Sequence, residues 1–132
     1  MIVASVILGI LATLPIINYA RDKRISSQVK LLGRSLIIAA LVYPIFALIW
    51  GDIQWLVIEL VGVVIYGSFY YLARVKTPIW LAWGWLLHVV WDVLLHLWGP
   101  GTHIVPHWYA YACLSFDFMI AAYVYRNLNK QG

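Results

Sequence analysis

His88, His96, His103 and His107 are the four histidines of the chain, and Glu59, Asp92 and Asp117 are three of its five acidic residues. All seven lie in or beside long apolar runs. Imidazole and carboxylate together form a ligand set for Zn, Fe, Cu or Mn. The same groups pass protons when they stand at successive depths in a membrane. His88, Asp92 and His96 recur every fourth residue, so at about 100° per residue on an α-helix they fall within about 80° of one another. Eight residues rise about 12 Å, which is too far for His88 and His96 to share one ion, so only adjacent members of the stripe can do so. His103, in a turn rich in Gly and Pro, reads as an exposed loop histidine.

The elements that must position these groups are membrane helices. Of 132 residues, 64% are hydrophobic and 11% charged, with a mean hydropathy of +0.87. A water-soluble domain carries about a quarter charged residues, so a soluble globular protein is excluded, and the length leaves no room for a separate soluble catalytic domain. A helix crosses the hydrocarbon with roughly 20 apolar residues. The chain divides into five such segments, at residues 2–20, 31–50, 55–73, 79–98 and 108–125. The expected fold is all-α, a single integral membrane domain over residues 1–132 built as a polytopic bundle of five transmembrane helices. Strand alternation of the kind a β-barrel needs is not seen in the long Leu, Ile and Val runs. The first basic residues follow the first apolar run, so residues 2–20 read as a retained span and not as a signal peptide.

If all five segments span, the nine basic residues Arg21, Lys23, Arg24, Lys30, Arg34, Arg74, Lys76, Arg126 and Lys130 fall at one membrane face. The positive-inside rule then predicts the N-terminus outside, the C-terminus cytoplasmic, and residues 51–54 and 99–106 on the outer face of a cytoplasmic membrane. The same distribution accounts for the net charge of +4 without any nucleic-acid partner. The expected partners are membrane lipids, and a homo-oligomer or a larger membrane complex. Trp50, Trp55, Trp98, Trp108 and Tyr109 mark the outer edge as an aromatic belt. Pro15 and Pro44 lie within spans, where membrane helices tolerate proline. Cys113 reads as a small buried residue before it reads as a ligand.

A charged carboxylate facing lipid costs at least a few kcal/mol, so Glu59, Asp92 and Asp117 must face inward or pair. Counting depth from the outer face puts Glu59 about one helical turn down, level with Asp92 and His96, with His107 at the top of the last span. The expected outer cluster is Glu59, Asp92, His96 and His107. His88 and Asp117 each lie roughly 15 Å below the outer edge and form an expected deeper pair. The favoured reading is a metal site in which Asp92 and His96 are primary ligands, Glu59 or His107 completes the shell, and His88 with Asp117 supports it or moves a proton. The ion would be a transition metal such as Zn, Fe or Cu, and an enzyme built on it would act on a lipophilic or small substrate. The alternatives are a proton relay, an ion or small-solute transport protein, a non-catalytic accessory subunit, or plain hydrogen-bonding between helices.

Residues 84–99 read GWLLHVVWDVLLHLWG. This stretch resembles a family of small bacterial integral membrane proteins of unknown function, whose core reads approximately GWLLHxxWDxxHHLxG. The family tends to carry a Cys and an Asp four apart in the following segment, as Cys113 and Asp117 are here. The resemblance implies that His88, Trp91, Asp92, His96 and Gly99 occupy the motif positions. Leu95 stands where the first of the paired histidines would be. The family supplies positions without a chemistry.

Overall fold

The computed structural model describes residues 2–99 and 106–128, and every regular element in them is helical. In chain order they are α1 (Ile2–Ala20), α2 (Ile25–Ile49), α3 (Ile53–Val75), α4 (Ile79–Trp91) with a π-helical turn (Asp92–Leu97), and α5 (His107–Tyr123) with a second π-helical turn (Val124–Leu128). His103, Lys130 and most of the 99–106 connection lie outside the described residues. Among the described residues, four helices are long and apolar enough to cross a membrane: α1, α2, α3 and the path Ile79–Leu97. The α-helical part of α5 has 17 residues.

The side chains are arranged inside out relative to a soluble protein. Leu8, Leu11 and Leu14 of α1, Ile38 and Ile45 of α2, and Val57 and Val64 of α3 are exposed, while Gln28, Glu59, His88, Asp92, His96 and Asp117 are buried. A lipid solvent selects this arrangement. An apolar side chain loses nothing against acyl chains, whereas a polar group there has no hydrogen-bond partner unless it turns inward.

Several helix boundaries differ from those expected from hydropathy. Helix α2 begins at Ile25 and not at residue 31, and α3 covers 53–75 where 55–73 was expected. Hydropathy marks the hydrocarbon layer, but a helix continues wherever its backbone bonds close and one face packs. The Gln28 N–H donates to the Arg24 carbonyl at 2.9 Å, and Gln28 and Val29 are buried. The Gln28 side chain also accepts a hydrogen bond from the Tyr123 hydroxyl at 2.6 Å, joining the start of α2 to the end of α5. The last helical path likewise runs to Leu128 where 125 was expected.

The α2–α3 connection is a closed piece of local chemistry. Gly51 has φ of 70°, its N–H reaches the Leu48 carbonyl at 3.0 Å, and the Asp52 N–H reaches the Ala47 carbonyl at 3.0 Å. This pair of bonds is a Schellman motif, which favours glycine at the left-handed position. Asp52 caps α3 by accepting from the Trp55 N–H at 3.1 Å. Asp52→Ala is expected to cost about 1 kcal/mol, read as a lowered midpoint of thermal unfolding in mild detergent.

Helix α2 packs chiefly on α3 and α1 on α5, with α4 between α3 and α5. The α1–α5 approach is close at Gly9, where an added Cβ would stand 2.1 Å from the Ala112 carbonyl oxygen. Ser115 of α5 donates to the Val6 carbonyl at 2.9 Å across the same seam. Leu32, Leu36, Tyr66, Leu81, Trp85 and Ile120 form the main apolar core, and a smaller cluster gathers Tyr43, Ala47, Trp55 and Ala110.

Candidate functional site

His88 lies near the end of α4, and at Asp92 the helix widens into the π turn, in which the Trp98 N–H reaches back five residues to the Val93 carbonyl at 2.9 Å. A π turn holds more residues than the 3.6 of an α turn, so His96 comes closer to standing directly over Asp92 than α-helical spacing allows. Such turns recur at functional sites. Gly99 follows the turn so tightly that a Cβ there would lie 1.9 Å from the Leu94 carbonyl oxygen.

Two groups of polar side chains result, whose histidines, carboxylates and Tyr43 are each at most 2% exposed. In the first, His88 Nδ1 lies 2.5 Å from Asp117 Oδ2 of α5 and 3.5 Å from Asp92 Oδ2. Tyr43 of α2 donates its hydroxyl proton to Asp92 Oδ1. One potential ligand atom from each of His88, Asp92 and Asp117 falls within 4.8 Å of the other two. In the second group, His96 Nε2 lies 2.8 Å from Glu59 Oε1, and the Trp91 indole N–H donates to Glu59 Oε2 at 3.1 Å. The Tyr43 ring joins the groups by stacking on His96 at 4.4 Å and on His88 at 5.6 Å between centroids.

The chemistry of the first group is that of an incomplete hydrogen-bond network. Asp92 Oδ2 and His88 Nε2 are buried without a hydrogen-bond partner among the described residues, as are the Tyr66 hydroxyl and the Trp85 indole N–H. Tyr66 and Trp85 both flank the His88 ring, at 5.0 and 6.4 Å between centroids. Buried polar atoms are nearly always satisfied, so a cluster of exceptions singles this group out within the bundle. A neutral imidazole and two carboxylates would cancel the charge of a divalent cation, which removes the main cost of burying those acids.

The structure brings together His88 with Asp117, and Glu59 with His96, from three different helices. It places Asp92 with His88 and Asp117. His107 is exposed at the first position of α5 and forms no hydrogen bond or ion pair with the buried groups among the described residues. Tyr43 was not anticipated. Its only sequence signal is a tyrosine in the interior of a span, next to Pro44.

A model of DUF6010, described as a family of unknown function, matches residues 2–130. The chain belongs to this family. No curated protein and no solved structure matches it. Membership in DUF6010 accords with the resemblance read at residues 84–99 and brings no activity with it, so the chemistry of this DUF6010 protein rests on its own side chains. One consequence concerns Tyr43. Tyr43→Phe keeps the ring stacks and removes the proton donated to Asp92, and should lower stability by about 1 kcal/mol, the scale of one interhelical hydrogen bond in a membrane. Tyr43→Ala should cost about 3 kcal/mol or more, because the buried ring goes too. Thermal unfolding of both variants in the same detergent separates the two contributions.

Proposed function

We propose that this protein is a multi-pass protein of the cytoplasmic (inner) membrane that holds a transition metal ion, of the Zn, Fe or Cu class, at His88, Asp92 and Asp117. The observation that carries the reading is the convergence of three ligand atoms from His88, Asp92 and Asp117 within 4.8 Å of one another in a fully buried place. The His96–Glu59 pair stands about one helical turn from Asp92 and serves as the supporting acid–base pair, a division of roles that differs from the outer cluster read from depth alone. In this topology α5 with its π-helical extension is the fifth span, the N-terminus is outside, and the end carrying Arg24, Lys76 and Arg126 faces the cytoplasm.

Ligands of one tetrahedral ion at 2.0–2.2 Å stand about 3.4 Å apart, so ion binding would open the His88–Asp117 contact by about 1 Å. Three protein ligands leave a fourth position for water or a small ligand, the arrangement of catalytic zinc sites. A metal-bound water there would supply a nucleophile for a lipophilic or small substrate arriving through the bilayer.

One observation favours a second reading, a proton relay. His88 Nδ1 and Asp117 Oδ2 stand 2.5 Å apart, a buried acid–base pair within reach for proton transfer. The two readings part on metal content. Protein purified in mild detergent without added metal should contain about one transition-metal ion per chain, lost in Asp92→Asn and kept in His107→Ala. A metal-free parent that conducts protons in liposomes, with conduction abolished in Asp117→Asn, would replace the metal reading by the relay.

A further inference from the structure

A second site lies at the basic end of the bundle, far from the buried histidines in composition and independent of the metal reading. A cavity of about 370 Å³ opens where the first turn of α2 meets the α3–α4 connection. Lys30 of α2, and Arg74 and Lys76 at the end of α3, line it and are exposed. No carboxylate lines it, and none of the three cations is ion-paired among the described residues. The Arg74 guanidinium is held over the Tyr70 ring at 5.9 Å, a contact that orients it without consuming its charge. Ser26 lines the cavity from the first turn of α2, and the Arg24 side chain at the N-cap makes no capping hydrogen bond. The Ser26 hydroxyl thus stands with the cations at the N-terminal end of α2, the end of a helix that favours anions.

Such a set recognises a phosphate oxyanion. The floor decides between its sources. Val29 and Ala73, both buried, line the same cavity together with Ile25 and Pro78. A cationic rim beside the apolar Ile25, Val29, Ala73 and Pro78 fits a headgroup still attached to its acyl chains, and basic pockets between membrane helices take such headgroups. We propose that this cavity binds the phosphate of an anionic phospholipid.

The test is native mass spectrometry of the full-length protein in detergent, titrated with phosphatidylglycerol and with phosphatidylcholine. The combined variant Lys30→Gln, Arg74→Gln, Lys76→Gln is compared with Arg21→Gln, Lys23→Gln, Arg126→Gln, which removes the same charge from exposed positions at the same end outside the cavity. The parent should prefer phosphatidylglycerol, the cavity variant should lose about tenfold in its affinity, and the control should lose less than about twofold. Excess inorganic phosphate should leave the lipid bound. The single variant Lys76→Gln, expected to lose about threefold, keeps the test decisive if the triple variant aggregates. Equal losses in both triple variants would mean diffuse surface attraction and overturn the proposal. So would an unaffected cavity variant, or displacement of the lipid by inorganic phosphate, which would mark a free-phosphate site.

Discussion

Asp117→Asn should weaken Zn²⁺ binding by more than about a hundredfold, since disturbing even a residue that only orients a ligand costs 10–100-fold. Asparagine preserves the size of the side chain and one acceptor oxygen, and removes the charge. In a site where His88, Asp92 and Asp117 are all at most 1% exposed, no water replaces that charge. Glu59→Gln, in the neighbouring pair, should change the affinity less than about tenfold, because Glu59 contacts His96 and Trp91 and none of the three ligands. Competition with a chromophoric chelator measures both. The folded bundle should survive the Asp117 change, for a hydrogen bond between membrane helices contributes about 1 kcal/mol, so lost affinity with unchanged unfolding would report the ion and not the fold.

Gly9→Leu should produce a large loss of stability. Its Cβ would stand 2.0 Å from Ser115 Oγ and 2.1 Å from the Ala112 carbonyl oxygen. The hydroxyl can rotate away only by giving up its bond to the Val6 carbonyl, and the backbone oxygen of α5 cannot move without the helix. Overpacking of this kind costs 1–3 kcal/mol where neighbours are able to shift, and about 3 kcal/mol or more is expected here. The contrast is Gly67→Ala. No atom lies within 4 Å of a Cβ at that position of α3, and replacing a mid-helix glycine should stabilise by up to about 1 kcal/mol. Parallel thermal unfolding of the two variants in detergent checks the sign at each position.

The helices and their apolar exteriors were legible because a membrane imposes one simple rule on every span. Their ends were less so, since Ile25 to Lys30 form a helix outside the hydrophobic stretch for reasons of backbone bonding and packing that hydropathy does not carry. Depth counting pointed to the proximity of His88 to Asp117 and of Glu59 to His96, because each span starts at an interface and rises a fixed 1.5 Å per residue. Depth gives no azimuth. Whether Asp92 turns toward Glu59 or toward Asp117 depends on how α4 is rotated against α3 and α5, and on the π turn that begins at Asp92 itself. A spacing of four residues is compatible with either turn width, so the sequence pattern of His88, Asp92 and His96 does not reveal the π geometry. Tyr43 escaped for a related reason: α2 carries no buried acid or histidine, and a tyrosine acquires its role only through the Asp92 it meets across the bundle.

The most direct measurement is diffraction above the zinc absorption edge from crystals of the full-length protein grown with Zn²⁺. The account predicts one anomalous peak inside the bundle, 2.0–2.2 Å from His88 Nδ1 and from carboxylate oxygens of Asp92 and Asp117. A peak between His96 and Glu59, or none within the bundle, would contradict it.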